Sequence, residues 1–370
     1  MNDVYERTTR GGWFDVSEDY LDRLVDEGSL SDYLTDELGS AEGFAVTRHD
    51  QGHSNETLFV EWGDREFVLR RPPAGETAET AHEVTREYLV MDALQETPVP
   101  VPTTVLACED ETVLGAEFYL MERQHGDVLR TDEPDRFQSE TARERLSEEV
   151  IDTLAAIHSV DSDTVGLDDY GYPEGFTERQ VRRWSEQFTW AFDVTGEERE
   201  VPEVYELMSW LTEHAPEEHP HTLVHGDFKL DNLMFAPGTP PELTAVFDWE
   251  LSTLGDPLTD LGLLLLFWQE PGDPDPPIPE LMPTFTANPG YLSREELIER
   301  YEHESGIEAE NLRFYRVLAA YKMAALGEMF FRRHLEGNAA DSLYPKMREG
   351  VPRLAKRTLE MAEGSGDVSL

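Results

Sequence analysis

The stretch LVHGDFKLDNLMF at residues 223–235, followed by AVFDWE at residues 245–250, decides the fold and the chemistry of this chain. Short apolar runs around the polar residues predict a strand, a loop and a second strand, and a third strand after the PGTPP turn. The loop carries Asp227, Asn232 follows five residues later, and Asp248 ends the third strand. Because their oxygens suit proton transfer and Mg²⁺ binding, we expect these three side chains to form one site.

Kinase-type phosphoryl transfer assigns a separate task to each polar residue of this unit. Asp227 is the candidate that orients or accepts the proton of the attacking hydroxyl, and Asn232 and Asp248 are the candidate magnesium ligands. Lys229, two residues after Asp227, can offset the charge that develops on the phosphoryl group. His225 is predicted to brace the loop. In so acidic a chain the Asp-to-Asn spacing alone would often arise by chance, so the prediction depends on the flanking strands.

The charge of the chain is its second unusual feature. The 370 residues include 78 acidic and 30 basic side chains, which gives a net charge of −48, and only four of the basic residues are lysines. Self-repulsion of this size destabilises a compact state in dilute buffer, while at 1 M salt the Debye length falls to about 3 Å and the repulsion is screened. The composition therefore predicts a halophilic protein, and it argues against nucleic acid as a partner.

The sequence also indicates where in the cell the protein is located and whether it contains a disulfide bond. No run of 18 or more apolar residues is present, and the first residues, MNDVYERTTRGGW, lack the apolar stretch of a signal peptide. We therefore expect a cytoplasmic protein without membrane contact. Cys108 is the single cysteine, so an internal disulfide is excluded, and we expect it to be a small buried residue.

Hydrophobic periodicity divides the chain into three parts. We predict an N-terminal helical extension at residues 1–40, with Ser17 as the N-cap of a helix that reaches residue 38. Residues 41–122 alternate as strands around one helix at residues 78–94, and residues 123–370 are mainly helical apart from the strands quoted above. The fold class is therefore α+β, with a small antiparallel-sheet lobe followed by a larger helical lobe.

The strand-rich part carries candidate nucleotide-binding residues. Gly52, His53, Ser54 and Asn55 form a candidate phosphate-facing loop, although one glycine alone is more often a simple turn. Val68 and Arg70 share one face of a strand, which suits contact with a base and with phosphate. Glu87, on the following helix, is the predicted ion-pair partner of Arg70, and Met121 opens the predicted hinge between the lobes.

A predicted helix at residues 177–192 gathers Arg179, Arg182 and Arg183 in a chain that is poor in cations. Arginine makes bidentate contacts with carboxylate or phosphate, so these residues are candidate substrate contacts. Salt bridges to the surrounding acids explain the cluster equally well, and both interpretations stay open here.

Several of these motifs together resemble the aminoglycoside phosphotransferase/choline kinase superfamily, most closely the branch also found fused to acyl-CoA dehydrogenases. The motifs are HGDFKLDNLMF, FDWELSTLGDPLTDL, GHSN, FVLRRPPAG and GFTERQVRRW. The resemblance implies a protein-kinase-like two-lobe fold that uses ATP and Mg²⁺ to phosphorylate a small-molecule hydroxyl. By motif position it makes Asp227 the catalytic aspartate, Asn232 and Asp248 the metal ligands and residues 52–55 the phosphate loop. It also implies a structural aspartate at Asp260.

Arg70 stands where many members of that superfamily have lysine, so two classes of function remain open. The preferred hypothesis is an active small-molecule kinase whose acceptor is a hydroxy acid or a hydroxyacyl-CoA, with an aminoglycoside or choline-type acceptor as a further alternative. The rival hypothesis is a nucleotide-binding pseudokinase, because arginine binds phosphate as a bulky fork and is not equivalent to lysine. A hydrolase that activates water with the same acidic groups is the third hypothesis.

Overall fold

The computed structural model describes residues 20–49, 55–74, 78–216, 219–337 and 341–364, and for residues 78–83 it describes the backbone only. These residues form two compact units. The first contains the described residues up to Glu96 together with Val101–Gln124. The second contains Thr97–Pro100 and the described residues from His125 onward.

The first unit is built on a five-stranded antiparallel sheet with the strand order β1-β2-β3-β5-β4. The strands are β1 (Phe44–Arg48), β2 (Glu56–Trp62), β3 (Arg65–Arg71), β4 (Thr104–Cys108) and β5 (Phe118–Glu122). The helices are α1 (Glu27–Leu38), α2 (Ala78–Leu94) and the short α3 (Glu111–Leu114). The predicted strands and the helix at residues 78–94 are thus present.

The two faces of this sheet carry different sets of residues, because side chains alternate along a strand. Leu58, Phe67 and Leu69 point to one face, where they form a buried core with Leu30 and Leu34 of α1. Cys108 belongs to the same core and is buried, as expected. The opposite face therefore carries the intervening residues of β3, including both predicted nucleotide contacts of that strand.

The predicted N-terminal helix is wrong in its extent. Residues 20–24 are helical, the helix breaks at Val25, and α1 starts anew after Asp26, whose carboxylate accepts a hydrogen bond of 2.7 Å from the Ser29 nitrogen. The buried guanidinium of Arg71 donates to the carbonyl oxygen of Leu24, which the break releases. The predicted N-cap, Ser17, lies outside the described residues.

The second unit is mainly helical and carries two small antiparallel sheets, β6-β8-β9 and β7-β10. Its strands are β6 (Asp127–Val128), β7 (Thr222–Val224), β8 (Leu233–Phe235), β9 (Leu243–Val246) and β10 (Thr253–Gly255). Its helices are α4 (Glu140–His158), α5 (Phe176–Thr195), α6 (Glu203–His214), α7 (Leu258–Phe267), α8 (Arg294–Ser305), α9 (Leu312–Leu335) and α10 (Met347–Glu363). Short 3₁₀ turns cover Asp135–Phe137, Leu230–Asn232, Trp249–Leu251, Phe285–Ala287 and Tyr344–Lys346.

Helix α9 is the central packing element of this unit. It lies against α5, α7 and α10, and its side chains are buried almost continuously from Phe314 to Ala325. Gly262 of α7 allows the close approach, because a Cβ atom there would lie 2.6 Å from the Cβ of Tyr315. The mainly helical character predicted for residues 123–370 is therefore present, whereas α6 was not predicted as a separate helix. Within the described part of the chain, none of the helices is both long and apolar enough to cross a membrane.

Candidate active site

The loop after β7 is held in place by a carboxylate from α7. Asp260 accepts hydrogen bonds from the backbone nitrogens of His225, at 2.6 Å, and Gly226, at 2.8 Å. Gly226 has a φ of +83°, and a Cβ atom there would lie 2.5 Å from the carbonyl oxygen of Leu251. Both the left-handed backbone and the close contact therefore require glycine at this position.

A buried hydrogen-bond chain stabilises Asp260 in turn. His158 Nε2 lies 3.3 Å from Asp260 Oδ2, and His158 Nδ1 lies 2.7 Å from the hydroxyl of Tyr301. Burial opposes ionisation of Asp260, but its hydrogen bond with His158, together with the proximity of His158 and His225, outweighs burial and lowers its pKa. Asp260 is thus an ionised carboxylate that supports the loop through backbone contacts.

The hydrogen bonds of His225 fix its tautomer. Its Nδ1 accepts from the backbone nitrogen of Asp227 at 3.1 Å, so Nδ1 carries no proton, and its Nε2 lies 2.8 Å from the carbonyl oxygen of Phe247, to which it donates. Both ring nitrogens are occupied by main-chain groups. His225 therefore braces the loop against the end of β9, as the sequence suggested, and is not placed to accept a substrate proton.

Asp227 lies between two lysines. Lys229 Nζ is 3.1 Å from Asp227 Oδ2, and Lys322 Nζ is 3.2 Å from Asp227 Oδ1. Burial disfavours the charged form, but Lys322 and Lys229 outweigh burial and hold the pKa of Asp227 well below its usual range. The pKa of Lys229 is raised, because Asp227 and Asp231 more than offset the effect of its burial. The site therefore holds an ion triad with an ionised aspartate at its centre.

Lys322 is the site residue that sequence analysis missed. It extends from the buried face of α9, and its Nζ also donates a hydrogen bond of 2.6 Å to the carbonyl oxygen of Gly226. One signal was available in the sequence: Lys322 is one of four lysines and lies within an otherwise apolar run. An ammonium group in such a run is costly unless it meets a partner.

The two predicted metal ligands lie side by side. The backbone nitrogen of Phe247 donates to the carbonyl oxygen of Asn232 at 2.9 Å, which brings Asp248 next to the turn that carries Asn232. Asn232 Nδ2 donates to the carbonyl oxygen of Asp227 at 2.9 Å, so the amide uses its nitrogen within the loop and leaves its oxygen, the atom that Mg²⁺ prefers, for a cation. This donor set fits Mg²⁺.

Asp248 has a left-handed backbone, with φ 67° and ψ 57°. A non-glycine residue adopts this conformation at a cost of about 1 kcal/mol, and such strain is concentrated at functional sites. Among the described residues, no group of three or more His, Cys, Asp and Glu side chains is arranged to hold a metal ion. A site for Mg²⁺ on nucleotide phosphates does not need one, since one or two protein oxygens are sufficient there.

In the first unit, the structure brings four candidate nucleotide residues onto one surface. Val68 of β3 pairs with Met121 of β5, and Arg70 lies two residues further along the same face. Arg70 Nη2 is 3.5 Å from Glu87 Oε2, so the predicted ion pair is present. Asn55 is buried at the start of β2, whereas Gly52, His53 and Ser54 lie outside the described residues.

The three arginines of α5 have different surroundings. Arg179 donates to the carbonyl oxygens of Tyr172 and Glu174 and thereby ties down the turn before the helix. Arg182 is exposed. Arg183 lines a cavity of about 50 Å³ whose wall also includes Gly226 and Lys322, and the cavity therefore adjoins the two residues that flank or contact Asp227.

This loop geometry in the second unit, together with the arginine–glutamate pair in the first, defines a phosphotransferase of the protein-kinase-like fold. The chain belongs to the phosphotransferase enzyme family, because the model of that family, which includes the aminoglycoside phosphotransferases, matches residues 45–318.

Relatives of known name or structure agree with this assignment. Acyl-CoA dehydrogenase family member 11 of Mus musculus is 35% identical over 373 residues, which cover 95% of this chain and 47% of that protein. The chain thus spans about half the length of this relative. A Ralstonia eutropha structure, provisionally named an aminoglycoside phosphotransferase, is 30% identical with a TM-score of 0.78 and covers 92% of this chain and 99% of its own.

A more distant structure shows the same fold. The GDP complex of aminoglycoside 2'-phosphotransferase-IIIa is 14% identical with a TM-score of 0.61, over 90% of this chain and 99% of its own. The predicted α+β, kinase-like fold is therefore confirmed.

Proposed function

We propose that this chain is an ATP- and Mg²⁺-dependent kinase that phosphorylates the hydroxyl group of a small molecule, and that the acceptor is a hydroxy acid or its acyl-CoA thioester. One observation carries the proposal. The Asp227 carboxylate is held ionised by Lys229 and Lys322, beside a cavity lined by Lys322 and Arg183. A proton acceptor and a cationic recess are thus adjacent, as a hydroxylated anion requires.

In the proposed reaction Asp227 orients the acceptor hydroxyl and receives its proton as the hydroxyl oxygen attacks the γ-phosphorus of ATP. The bond between that phosphorus and the bridging oxygen breaks, and ADP leaves with the electron pair. Because the pKa of Asp227 is lowered, the carboxylate is ionised and can orient the hydroxyl, which suits a loose transition state in which positioning dominates. Lys229 would offset charge on the moving phosphoryl group.

On the nucleotide side, Val68 and Met121 would contact the base, Arg70 would contact phosphate, and Glu87 would hold the guanidinium in place. Asn55 and the three residues before it would complete the phosphate loop. Asn232 and Asp248 would hold Mg²⁺, which would offset the negative charge of the nucleotide phosphates. The three acidic and amide residues of the loop and strand are all present, which favours an active kinase over a pseudokinase.

The charge of the cavity wall supports an anionic acceptor. Arg183 and Lys322 are two of only 30 basic residues in a chain with 78 acidic ones, and both lie on this wall. A polycationic aminoglycoside or the ammonium of choline would meet like charge there. The name of the mouse relative, which refers to an acyl-CoA dehydrogenase, points the same way.

A panel of acceptors, assayed for ADP production in molar KCl, tests the proposal. It should contain hydroxy acids, hydroxyacyl-CoA thioesters, sugars, choline and aminoglycosides. We expect acceptor-dependent ADP with an acid or thioester and little with the cations. Nucleotide binding without turnover on any acceptor would support the pseudokinase, and ADP release without an acceptor would support the hydrolase.

A further inference from the structure

Lys322 occupies the one oxygen of Asp227 that Lys229 does not contact. Lys229 belongs to the catalytic loop and lies next to Oδ2, whereas Lys322 reaches Oδ1 from α9, 95 residues away in sequence. Lys322 is only 8% exposed and is surrounded by buried apolar residues of its helix. Both carboxylate oxygens of the proposed proton acceptor are thus engaged by ammonium groups before any acceptor binds.

Lys322 also belongs to the wall of the neighbouring cavity. Its Nζ lies 5.6 Å from the centre of the Trp184 ring, and the guanidinium carbon of Arg183 lies 5.4 Å from the same centre. Trp184 therefore has a cation on either helix, α5 and α9, within the range of cation–π attraction. Both cations thus lie close to the same aromatic ring at the wall of the cavity.

The acidic group of this wall offsets only part of that charge. Among the described residues that line the cavity, Asp260 is the only acidic one, and its carboxylate accepts the backbone hydrogen bonds of His225 and Gly226. An anionic group that enters the recess thus meets Lys322 and Arg183. It competes with Asp227 for the ammonium of Lys322, which is a point charge on a flexible stem and can turn between two partners.

We propose that Lys322 is a positioning residue shared between Asp227 and the anionic group of the acceptor. In the structure Lys322 holds Asp227 Oδ1. When an acceptor with an anionic group enters the cavity, Lys322 turns to that group and releases Oδ1 for the acceptor hydroxyl. This inference rests on the proposed kinase function and adds to it a reason for selectivity. An anionic acceptor molecule draws Lys322 away from Asp227 Oδ1, whereas with a neutral acceptor molecule Lys322 stays on that oxygen.

The proton inventory of this step is simple. Lys322 keeps its proton throughout and changes only its partner, while the hydroxyl proton of the acceptor passes to Asp227. The movement that brings Lys322 to the anionic group thus also frees Oδ1 to receive that proton.

The test compares Lys322→Met with Lys322→Arg, and Lys346→Met serves as a matched control because Lys346 is exposed and pairs with Glu280 on the surface. The acceptors are the best hydroxy acid from the panel and its neutral primary amide. For each variant, kcat and KM are measured with both acceptors in molar KCl, and ATP affinity is measured by titration.

In wild type we expect the acid to be preferred over the amide. In Lys322→Met, KM for the acid should rise by about tenfold to a hundredfold, the size of one lost charged hydrogen bond, while ATP affinity stays unchanged. The ratio of kcat/KM for the acid to kcat/KM for the amide should fall towards one, because in this variant no lysine at position 322 occupies Asp227 Oδ1 when the amide binds. Lys322→Arg should keep the preference for the acid at a lower kcat.

An equal loss of kcat/KM for acid and amide in Lys322→Met would show a merely structural role and overturn the proposal. If Lys322→Met does not fold, Lys322→Arg decides, since loss of the acid preference despite the retained charge is the contrary result.

Calorimetric binding of the acid and the amide, without turnover, separates the two proposals. Acid that binds to wild type through Lys322 without phosphorylation would sink the kinase function alone. Acid and amide that bind wild type equally would sink the role of Lys322.

Discussion

The backbone nitrogen of Phe247 donates a hydrogen bond of 2.9 Å to the carbonyl oxygen of Asn232, and this bond aligns the end of β9 with the catalytic loop. Asp248 follows directly, so the main chain sets the two proposed magnesium ligands, the Asn232 amide and the Asp248 carboxylate, next to each other. Such alignment does not depend on the charge of Asp248, and the ligand can be changed without loss of the local fold.

Asp248→Asn should therefore weaken Mg²⁺-dependent binding of ATP and reduce turnover, because a neutral oxygen replaces an anionic one next to a divalent cation. Nucleotide titrations with and without Mg²⁺ measure the effect. Glu250→Gln, two residues further on, removes the same charge from the same turn and should have a much smaller effect. Equal metal dependence in wild type and Asp248→Asn would exclude Asp248 as a ligand.

Asp227→Asn should lower kcat by about 10² to 10⁴ while ATP affinity stays nearly constant, because in the proposed reaction the carboxylate contacts the acceptor hydroxyl and not the nucleotide. The amide keeps the size of the side chain but leaves Lys229 and Lys322 without their anion. A coupled ADP assay and a nucleotide titration measure both quantities, and Glu242→Gln on the surface is the control. Unchanged turnover would mean that Asp227 does not receive the proton.

Asp260→Asn should destabilise the protein by about 1–3 kcal/mol at neutral pH, because an amide cannot accept both backbone hydrogen bonds of the loop. The folded-state pKa of Asp260 is lowered, so its stabilising effect is present above the ordinary aspartate range and is lost as pH falls through the lower, folded value. Denaturant unfolding in molar KCl should thus show a difference between wild type and variant that shrinks below about pH 4. The surface variant Asp163→Asn should show little difference at any pH.

Arg70→Met should weaken ATP binding by about tenfold to a hundredfold, because it removes the proposed phosphate contact and the guanidinium that pairs with the buried carboxylate of Glu87. Arg70→Lys should recover part of the affinity. The control is Arg48→Met, which removes another arginine–glutamate pair of the same sheet, the one with Glu56 at 2.8 Å. Equal ATP affinity in Arg70→Met and wild type would speak for a pair that only supports the sheet.

Stability should rise steeply with salt, since a net charge of −48 is spread along the chain and only screening relieves the repulsion. Thermal unfolding followed by circular dichroism from dilute buffer to molar KCl should show an increase in Tm of many degrees. A Tm that stays constant over this range would remove the basis for a halophilic protein.

Local sequence patterns predicted most of the helices and strands, but they could not predict contacts between residues that are far apart in sequence. The strands around Asp227 and the pair of Arg70 with Glu87 follow from periodicity and from positions within one strand and the next helix. Lys322 and Asp227 are 95 residues apart, so nothing local connects them. The hydrogen-bonded residues His158 and Asp260 are equally remote, since they are 102 residues apart in sequence.

Two other errors have local causes. The apolar pattern of residues 17–38 is continuous, and only the capping geometry of Asp26 shows where α1 begins. Helix α6 did have a signal, because Val204, Leu207 and Leu211 recur at helical spacing and are buried together. It was missed because those residues lie in a short segment without a clear capping residue, since Pro202 forms no side-chain cap.

The scarcity of lysine also makes this protein a convenient object for amine chemistry. Lys346 and Lys356 are exposed, whereas Lys229 and Lys322 are engaged with Asp227. An acylating reagent thus finds two side-chain amines readily accessible and two guarded by the same aspartate. Peptide mapping after brief acylation would measure how far Lys229 and Lys322 are labelled. A change in that labelling would report the state of the ion triad without an assay of turnover.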